Sequence, residues 1–288
     1  MAQLLYGKPV ADALTADTRR RADLLRDKGV MPKLVILRCG ENEADGAYIR
    51  GAMKRGGLCG VDVELRTLAA DVSADTLART LKAVNGDSAV HGCLLLRPLP
   101  GQLKAAESGL CALLDPRKDV DGMTPVSAAG VFTGSGEGFP PCTAQACMAL
   151  LDYYHIDCAG KSAAVIGRSA VVGRPAAMLL LARNATVTVC HSKTRDTAAV
   201  TRQADIIITA AGAANSLTAD HVRPGQVVVD VSTNWNGTGL CGDADFDAAA
   251  EIVEAITPVP GGVGAVTSAV LMAHTVRAAE KLTGESGL

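Results

Sequence analysis

The stretch Ser162-Ala163-Ala164-Val165-Ile166-Gly167-Arg168-Ser169-Ala170-Val171-Val172-Gly173-Arg174-Pro175 decides how this chain is read. An apolar run of strand character breaks at a glycine, and a helical pattern follows from Arg174 to Ala182. Pro175 falls in the first helical turn, where its missing N–H matters little. A strand, a glycine turn and a helix N-terminus together make an anion site. Glycine lets the backbone approach a phosphate, while unpaired N–H groups and the helix dipole favour negative charge. The spacing is not Gly-x-Gly-x-x-Gly, so the generic dinucleotide fingerprint is absent and an ordinary tight strand–helix turn is the competing reading. The next strand, Ala185 to Val189, ends Cys190-His191-Ser192-Lys193-Thr194, without the carboxylate that NAD-preferring folds place there for the ribose 2′-hydroxyl. Arg168 and Ser192 suit a 2′-phosphate instead, which favours NADP; the bland alternative makes Arg168 a solvated turn residue, and His191 alone reads as structural.

The pattern extends on both sides. Downstream, Ile206-Ile207-Ile208 and Val227 to Val231 read as strands. Thr257-Pro258-Val259-Pro260-Gly261-Gly262-Val263-Gly264 then holds backbone groups against a ligand, or serves as an interdomain hinge, before a last helix from Ala265 to Leu282. Upstream, helical Val10–Lys28, Tyr48–Leu58 and Ala74–Val84 alternate with strands Lys33–Leu37, Val61–Leu65 and Val90–Leu96. Alternation of this kind predicts an α/β protein with parallel sheets covered on both faces. The Pro- and Gly-rich segment from Thr133 to Pro141 marks a domain junction, and helical Ala144–Asp152 follows it.

Composition agrees with two domains. The chain has 288 residues, 48% hydrophobic and only 3% aromatic, so its cores must be aliphatic. A net charge of −2 with no basic block argues against nucleic acid or an anionic membrane as the main partner. No apolar run reaches the roughly 20 residues of a membrane span, and the start lacks a signal peptide's layout. Nine scattered cysteines without Cys-x-x-Cys pairs fit reduced thiols in a cytoplasm, and no metal-binding spacing is present. In Pro116-Arg117-Lys118-Asp119-Val120-Asp121-Gly122 two carboxylates flank a valine. If extended they face the same way as an acid–base pair, and otherwise they form a solvated turn, which is the reading that wins without further support.

These stretches, with PKLVILRCGENEADGAYIRGAMK, LLRPLP, PPCT, VVVDVSTN, GDADF and TPVPGGVGAVTSAVLMAHT, resemble the methylenetetrahydrofolate dehydrogenase/cyclohydrolase family (FolD type) over nearly the whole chain. The resemblance implies a substrate domain of residues 1–143 completed by the C-terminal helix 265–288. It also implies a Rossmann-type NADP domain of residues 144–264, a cleft between them for folate, and a homodimer joined through the NADP domains. The implied chemistry is hydride transfer from 5,10-methylenetetrahydrofolate to NADP, then hydrolysis of the methenyl product. By position, Tyr48 stacks on the folate and Asp121 holds its amino-pyrimidine edge, a carboxylate accepting two hydrogen bonds. Pro260, Gly261 and Gly262 line the folate–nicotinamide contact. Gly167, Arg168, Ser169, Val172, Gly173 and Ser192 hold NADP, with Thr233 and Asn234 near the nicotinamide.

The departures from the family pattern fall at the chemical centre. The lysine on which the cyclohydrolase step depends stands four residues after the tyrosine, where this chain has Ala52. Lys54 matches a second lysine of the motif and lies about 200° around the helix from Ala52, pointing away. Arg97 stands where the resemblance places a glutamine before Pro-Leu-Pro, and Asp45 where it places a serine; the two carry charges suited to an ion pair. Arginine cannot act as a base. The expectation is therefore an NADP-dependent dehydrogenase with weak or absent cyclohydrolase activity. The alternatives are the ordinary bifunctional enzyme and a silent folate- or nucleotide-binding paralogue.

Overall fold

The computed structural model describes residues 1–285, apart from the side chains of Glu43 and Ala44; the last three residues of the helix expected at 265–288 lie outside the described residues. The first half of the chain runs β1 (Gln3–Leu4), α1 (Gly7–Asp27), β2 (Lys33–Cys39), α2 (Glu43–Cys59), β3 (Asp62–Leu68), α3 (Ala74–Gly86) and β4 (Gly92–Leu95). Short α4 (Glu107–Cys111) and α5 (Pro125–Thr133) follow, then α6 (Cys142–Tyr153). The second half runs β5 (Ser162–Ile166), α7 (Gly173–Ala182), β6 (Thr186–Cys190), α8 (Thr197–Thr201), β7 (Ile206–Thr209) and β8 (Val227–Asp230). It ends with β9 (Asn234–Trp235), β10 (Leu240–Cys241), α9 (Phe246–Ala250), β11 (Ala255–Ile256) and α10 (Gly264–Thr283).

The chain divides into two compact units. One comprises Asp12–Cys142 with Ser268–Leu288, the other Met1–Ala11 with Thr143–Thr267. The first eleven residues, expected in the substrate domain, pack with the nucleotide-type unit, where β1 pairs in parallel with β11, Gln3 opposite Ala255 and Leu4 opposite Ile256. Two-residue strands carry no periodicity, so neither was legible in advance.

In the first unit a three-stranded parallel sheet has the order β3-β2-β4. β2 is central, which is why Leu34 to Leu37 form an unbroken apolar run, fully buried. Val35, Leu37, Cys93 and Leu95 point to one face and pack with Leu77, Leu81 and Val84 of α3. Ser73 caps the start of α3, its hydroxyl accepting from Thr76 N–H. Carbonyls of its last turn and C-cap receive three hydrogen bonds from the buried Lys118 ammonium, at Val84, Asn85 and Asp87. The segment around Asp119 and Asp121 is a turn and not an extended strand, so the two carboxylates are not a pair. Asp119 is fully buried and accepts from Met123 N–H, Thr124 N–H and the Ser127 hydroxyl, fixing the start of α5.

In the second unit six strands form an all-parallel sheet in the order β1-β11-β8-β7-β5-β6. The chain leaves β5 toward β6 and returns on the other side as β7. The topological switch point therefore lies between β5 and β7, where such sheets place ligands at the carboxyl ends of the strands. Asp230 ends β8 buried, accepting from the N–H groups of Ser232, Asp243 and Ala244. Burial, with the neighbouring Asp243 carboxylate adding to it, pushes its carboxyl up to about 6. Among the described residues no helix is long and apolar enough to cross a membrane, no acidic, His or Cys cluster is arranged for a metal, and all nine cysteines are unpaired.

Two stability predictions follow from these carboxylates. Asp119→Ala leaves three buried donors unpaired and is expected to lower the unfolding free energy by about 3 kcal/mol in denaturant titration; a loss under about 1 kcal/mol contradicts the assigned role. Asp230 has a raised carboxyl, so the folded state holds its proton more tightly than the unfolded chain. Its stabilising share is full below pH about 4 and lost as pH rises through about 6. Measured against Asp230→Asn, the wild type is expected to lose up to about 3 kcal/mol between pH 4 and pH 7, whereas parallel pH profiles contradict the shift.

Candidate active site

At the switch point three strand ends close on one another. Gly167 follows β5 with φ 124°, and any Cβ there would collide with the Ala210 carbonyl beyond β7. A Cβ on Gly173 would in turn collide with the Gly167 carbonyl. Both glycines are thus required by close backbone approach, and the turn is tighter than an ordinary strand–helix connection. Ser169 accepts from Val172 N–H at 3.0 Å and Gly173 N–H at 3.3 Å. Two of the helix donors expected to be open to an anion are therefore occupied, and Ser169 offers an approaching ligand only its hydroxyl proton.

A cavity of about 460 Å³ opens beside this turn, lined by Gly167, Arg168, Ser192, Ala211, Ser216 and His221 among others. Arg168 and Ser192 are exposed at its rim, and no carboxylate stands at the end of β6. The Ser216 hydroxyl is buried without a hydrogen-bond partner, an orphan that a ligand oxygen would satisfy. The glycine approach, the cationic rim and this orphan fit a phosphorylated dinucleotide. Val172 stands directly before α7. Thr233 is exposed. Asn234 donates both amide protons internally, to the Gly242 carbonyl and the Asp243 carboxylate, so only its carbonyl oxygen remains for a ligand. Pro260 and Gly261 are exposed, and Gly262 is buried where a Cβ on Gly7 would strike its carbonyl.

In the other unit, α2 and the turn after Asp119 carry the remaining residues. Tyr48 is half-buried, and desolvation, aided by the nearby Cys142 and Asp121, holds its phenol neutral. Ala52, one turn further on, is fully buried, while Lys54 is exposed. Asp121 is half-buried and accepts from Cys142 N–H at 3.3 Å. Burial pushes its carboxyl up, opposed by Cys142 and by the charge of Arg97. Its peptide is braced from behind: the Val120 carbonyl accepts from His274 Nδ1–H at 2.9 Å and from the Cys142 thiol at 3.3 Å. His274 is fully enclosed and pushed down to about 4, so it stays neutral. Asp119 is saturated by donors, while Asp121 keeps acceptor capacity.

Arg97 lies just past the end of β4. Leu96 N–H still bonds the Leu37 carbonyl, so strand alternation continues through Leu96. Leu96 shares the face of Gly92, whose Cβ position meets Thr275 of α10, and α2 packs on that helix through Gly56 near Met272. Arg97 follows in a bend, in a depression with Glu107, Cys111 and Met123, and near enough for its charge to act on Asp121. No ion pair joins it to Asp45 among the described residues.

Ser216, His221, Cys142, His274 and the buried Asp243 had been given no role. Cys142, His274 and Asp243 act through partners distant in sequence, and the only signals for them were the Pro-Pro-Cys-Thr, Met-Ala-His-Thr and Gly-Asp-Ala-Asp-Phe stretches.

Comparison with known proteins agrees in both units. Residues 5–121 match the family described as tetrahydrofolate dehydrogenase/cyclohydrolase, catalytic domain, and residues 141–283 match its NAD(P)-binding domain. The chain is 46% identical over 287 residues to the bifunctional protein FolD of Carboxydothermus hydrogenoformans, spanning 99% of each. It superposes on the bifunctional FolD enzyme of Campylobacter jejuni with a TM-score of 0.94 at 37% identity, covering 98% of this chain and 99% of that one. The Trypanosoma brucei dehydrogenase–cyclohydrolase, solved with NADP cofactor and inhibitor, gives 0.90 at 32% identity over 97% of this chain and 98% of that one. With both family domains matched in order along almost its whole length, the chain belongs to the tetrahydrofolate dehydrogenase/cyclohydrolase family.

Proposed function

We propose that this chain is an NADP-dependent 5,10-methylenetetrahydrofolate dehydrogenase in which hydrolysis of the methenyl product is weak or absent. The observation that carries the second half is Ala52. A fully buried methyl group occupies the turn of α2 after Tyr48, where the family pattern has its lysine.

NADP, when bound, accepts the hydride. Arg168 and Ser192 hold its 2′-phosphate, and the absence of a carboxylate at the end of β6 disfavours NAD. Gly167 and Gly173 admit its backbone-facing phosphates, Val172 and the Ser169 hydroxyl stand beside them, and Thr233, Asn234 and Pro260 to Gly262 border the nicotinamide. The Trypanosoma brucei relative solved with NADP supports the cofactor choice. On the folate, Tyr48 stacks and Asp121, whose acceptor capacity is not used up internally, receives two hydrogen bonds from the amino-pyrimidine edge. Hydride transfer asks mainly for positioning, which these contacts supply.

Hydrolysis asks for an activated water. Ala52 offers it no polar group, Lys54 is exposed, and the Tyr48 phenol is held neutral. Arg97 has donors only and cannot act as a base. Loss of general acid–base help typically removes about 10²- to 10⁴-fold in rate. A second reading, the complete bifunctional enzyme, is favoured by the names of the curated relatives. A homodimer through the NADP-binding units is supported by β6, an edge strand with Val189 exposed beside the exposed Leu181 of α7. Nine unpaired thiols support a reducing, cytoplasmic setting.

Ala52→Lys tests the assignment. The variant is expected to hydrolyse methenyltetrahydrofolate about 10²-fold faster than the wild type, while its dehydrogenase kcat stays within about threefold. An active dehydrogenase with no gain in hydrolysis contradicts the role given to this position.

A further inference from the structure

We propose that Asp243, which lines no cavity itself, is the positioning residue that sets the wall of the NADP site; the role rests on the NADP reading above. Its carboxylate is fully buried, and six donors converge on it. One oxygen, Oδ2, accepts from the Thr209 hydroxyl at 3.0 Å, the Ser232 hydroxyl at 2.8 Å, Ala211 N–H at 2.6 Å and Gly212 N–H at 3.3 Å. The other, Oδ1, accepts from Ala213 N–H at 2.8 Å and the Asn234 amide at 3.0 Å. A carboxylate has about four lone-pair sites, so this one has nothing left for a ligand and acts only through the groups that it holds.

Those groups are what the site is made of. Ala211 and Ala213 line the cavity beside Gly167 and Arg168, and Asn234 begins the hairpin that follows β8. The segment Ala210-Ala211-Gly212-Ala213 has no side chain beyond a methyl, and Ala211 to Ala213 are exposed, so packing gives it little to hold on to. Three backbone N–H groups on one buried charge replace that missing anchorage. Asp243 is itself held, because its N–H donates to Asp230 at 3.1 Å, and Asp230 N–H donates to the Thr257 hydroxyl at 2.7 Å. Thr257 opens the 257–264 loop, so the two loops that border the dinucleotide share one buried chain of hydrogen bonds.

The test uses purified full-length protein, with folding checked by circular dichroism, NADP affinity by calorimetry, and KM values for both substrates. Asp243→Asn turns one acceptor into an NH₂ facing other donors. It is expected to raise Kd and KM for NADP at least tenfold and to leave KM for 5,10-methylenetetrahydrofolate within twofold. Thr209→Val and Ser232→Ala each remove one donor and keep the charge, and each is expected to weaken NADP binding two- to fivefold. A folded Asp243→Asn that binds NADP as the wild type does, or that weakens both substrates equally, overturns the proposal. If Asp243→Asn does not fold, unchanged NADP affinity in both milder variants overturns it. A folded wild type that binds no NADP refutes the cofactor reading instead.

Discussion

The approach of β5 to β7 at the switch point is the constraint on which the nucleotide-binding unit depends. Gly167 leaves β5 with its backbone pressed against the Ala210 carbonyl, and Gly173 is pressed against the Gly167 carbonyl in turn. No residue with a Cβ fits either place. Because the two strand ends meet there, the loops after β5 and β7 line one crevice. The elements added outward from this point, β6 on one side and β8, β11 and β1 on the other, extend the sheet without altering that geometry.

Four aspartates divide the work of the two units. Asp119, Asp230 and Asp243 are buried and satisfied by internal donors, and each ties together loop backbone around it. Asp121 differs. A single backbone N–H reaches it, its peptide is braced by Cys142 and His274, and its carboxyl is pushed up by burial. A half-buried carboxylate with unused acceptor capacity is a binding group in waiting, whereas a saturated one is architecture. The same comparison applies along α2, where Tyr48 keeps a polar tip and Ala52 presents only a methyl.

Much of this was legible in the sequence, for physical reasons that also mark the limit. Central parallel strands such as β2 and β5 are continuous apolar runs, and the glycine turn after β5 announced the crevice. Ala52 could be read because a helix fixes which residues share a face, and the exposure of Lys54 follows from the same geometry. What could not be read depends on pairing or register. The two-residue strand β1 exists only through its pairing with β11, so the packing of Met1–Ala11 with the second unit had no local signal. Ser169 looked like a ligand for phosphate and is first a cap on its own helix. Asp243 gathers donors 9 to 34 residues away in the chain, a convergence that no local pattern announces.

The central claim, that the site retains hydride transfer and lacks the means to activate water, is tested most directly by one absorbance time course. Wild-type protein is mixed with 5,10-methylenetetrahydrofolate and NADP, and reduced cofactor and methenyl product are followed together against spontaneous hydrolysis without enzyme. The account predicts reduced cofactor with methenyl accumulating to the level set by spontaneous hydrolysis alone. Reduced cofactor with methenyl cleared faster than in the enzyme-free control would contradict it.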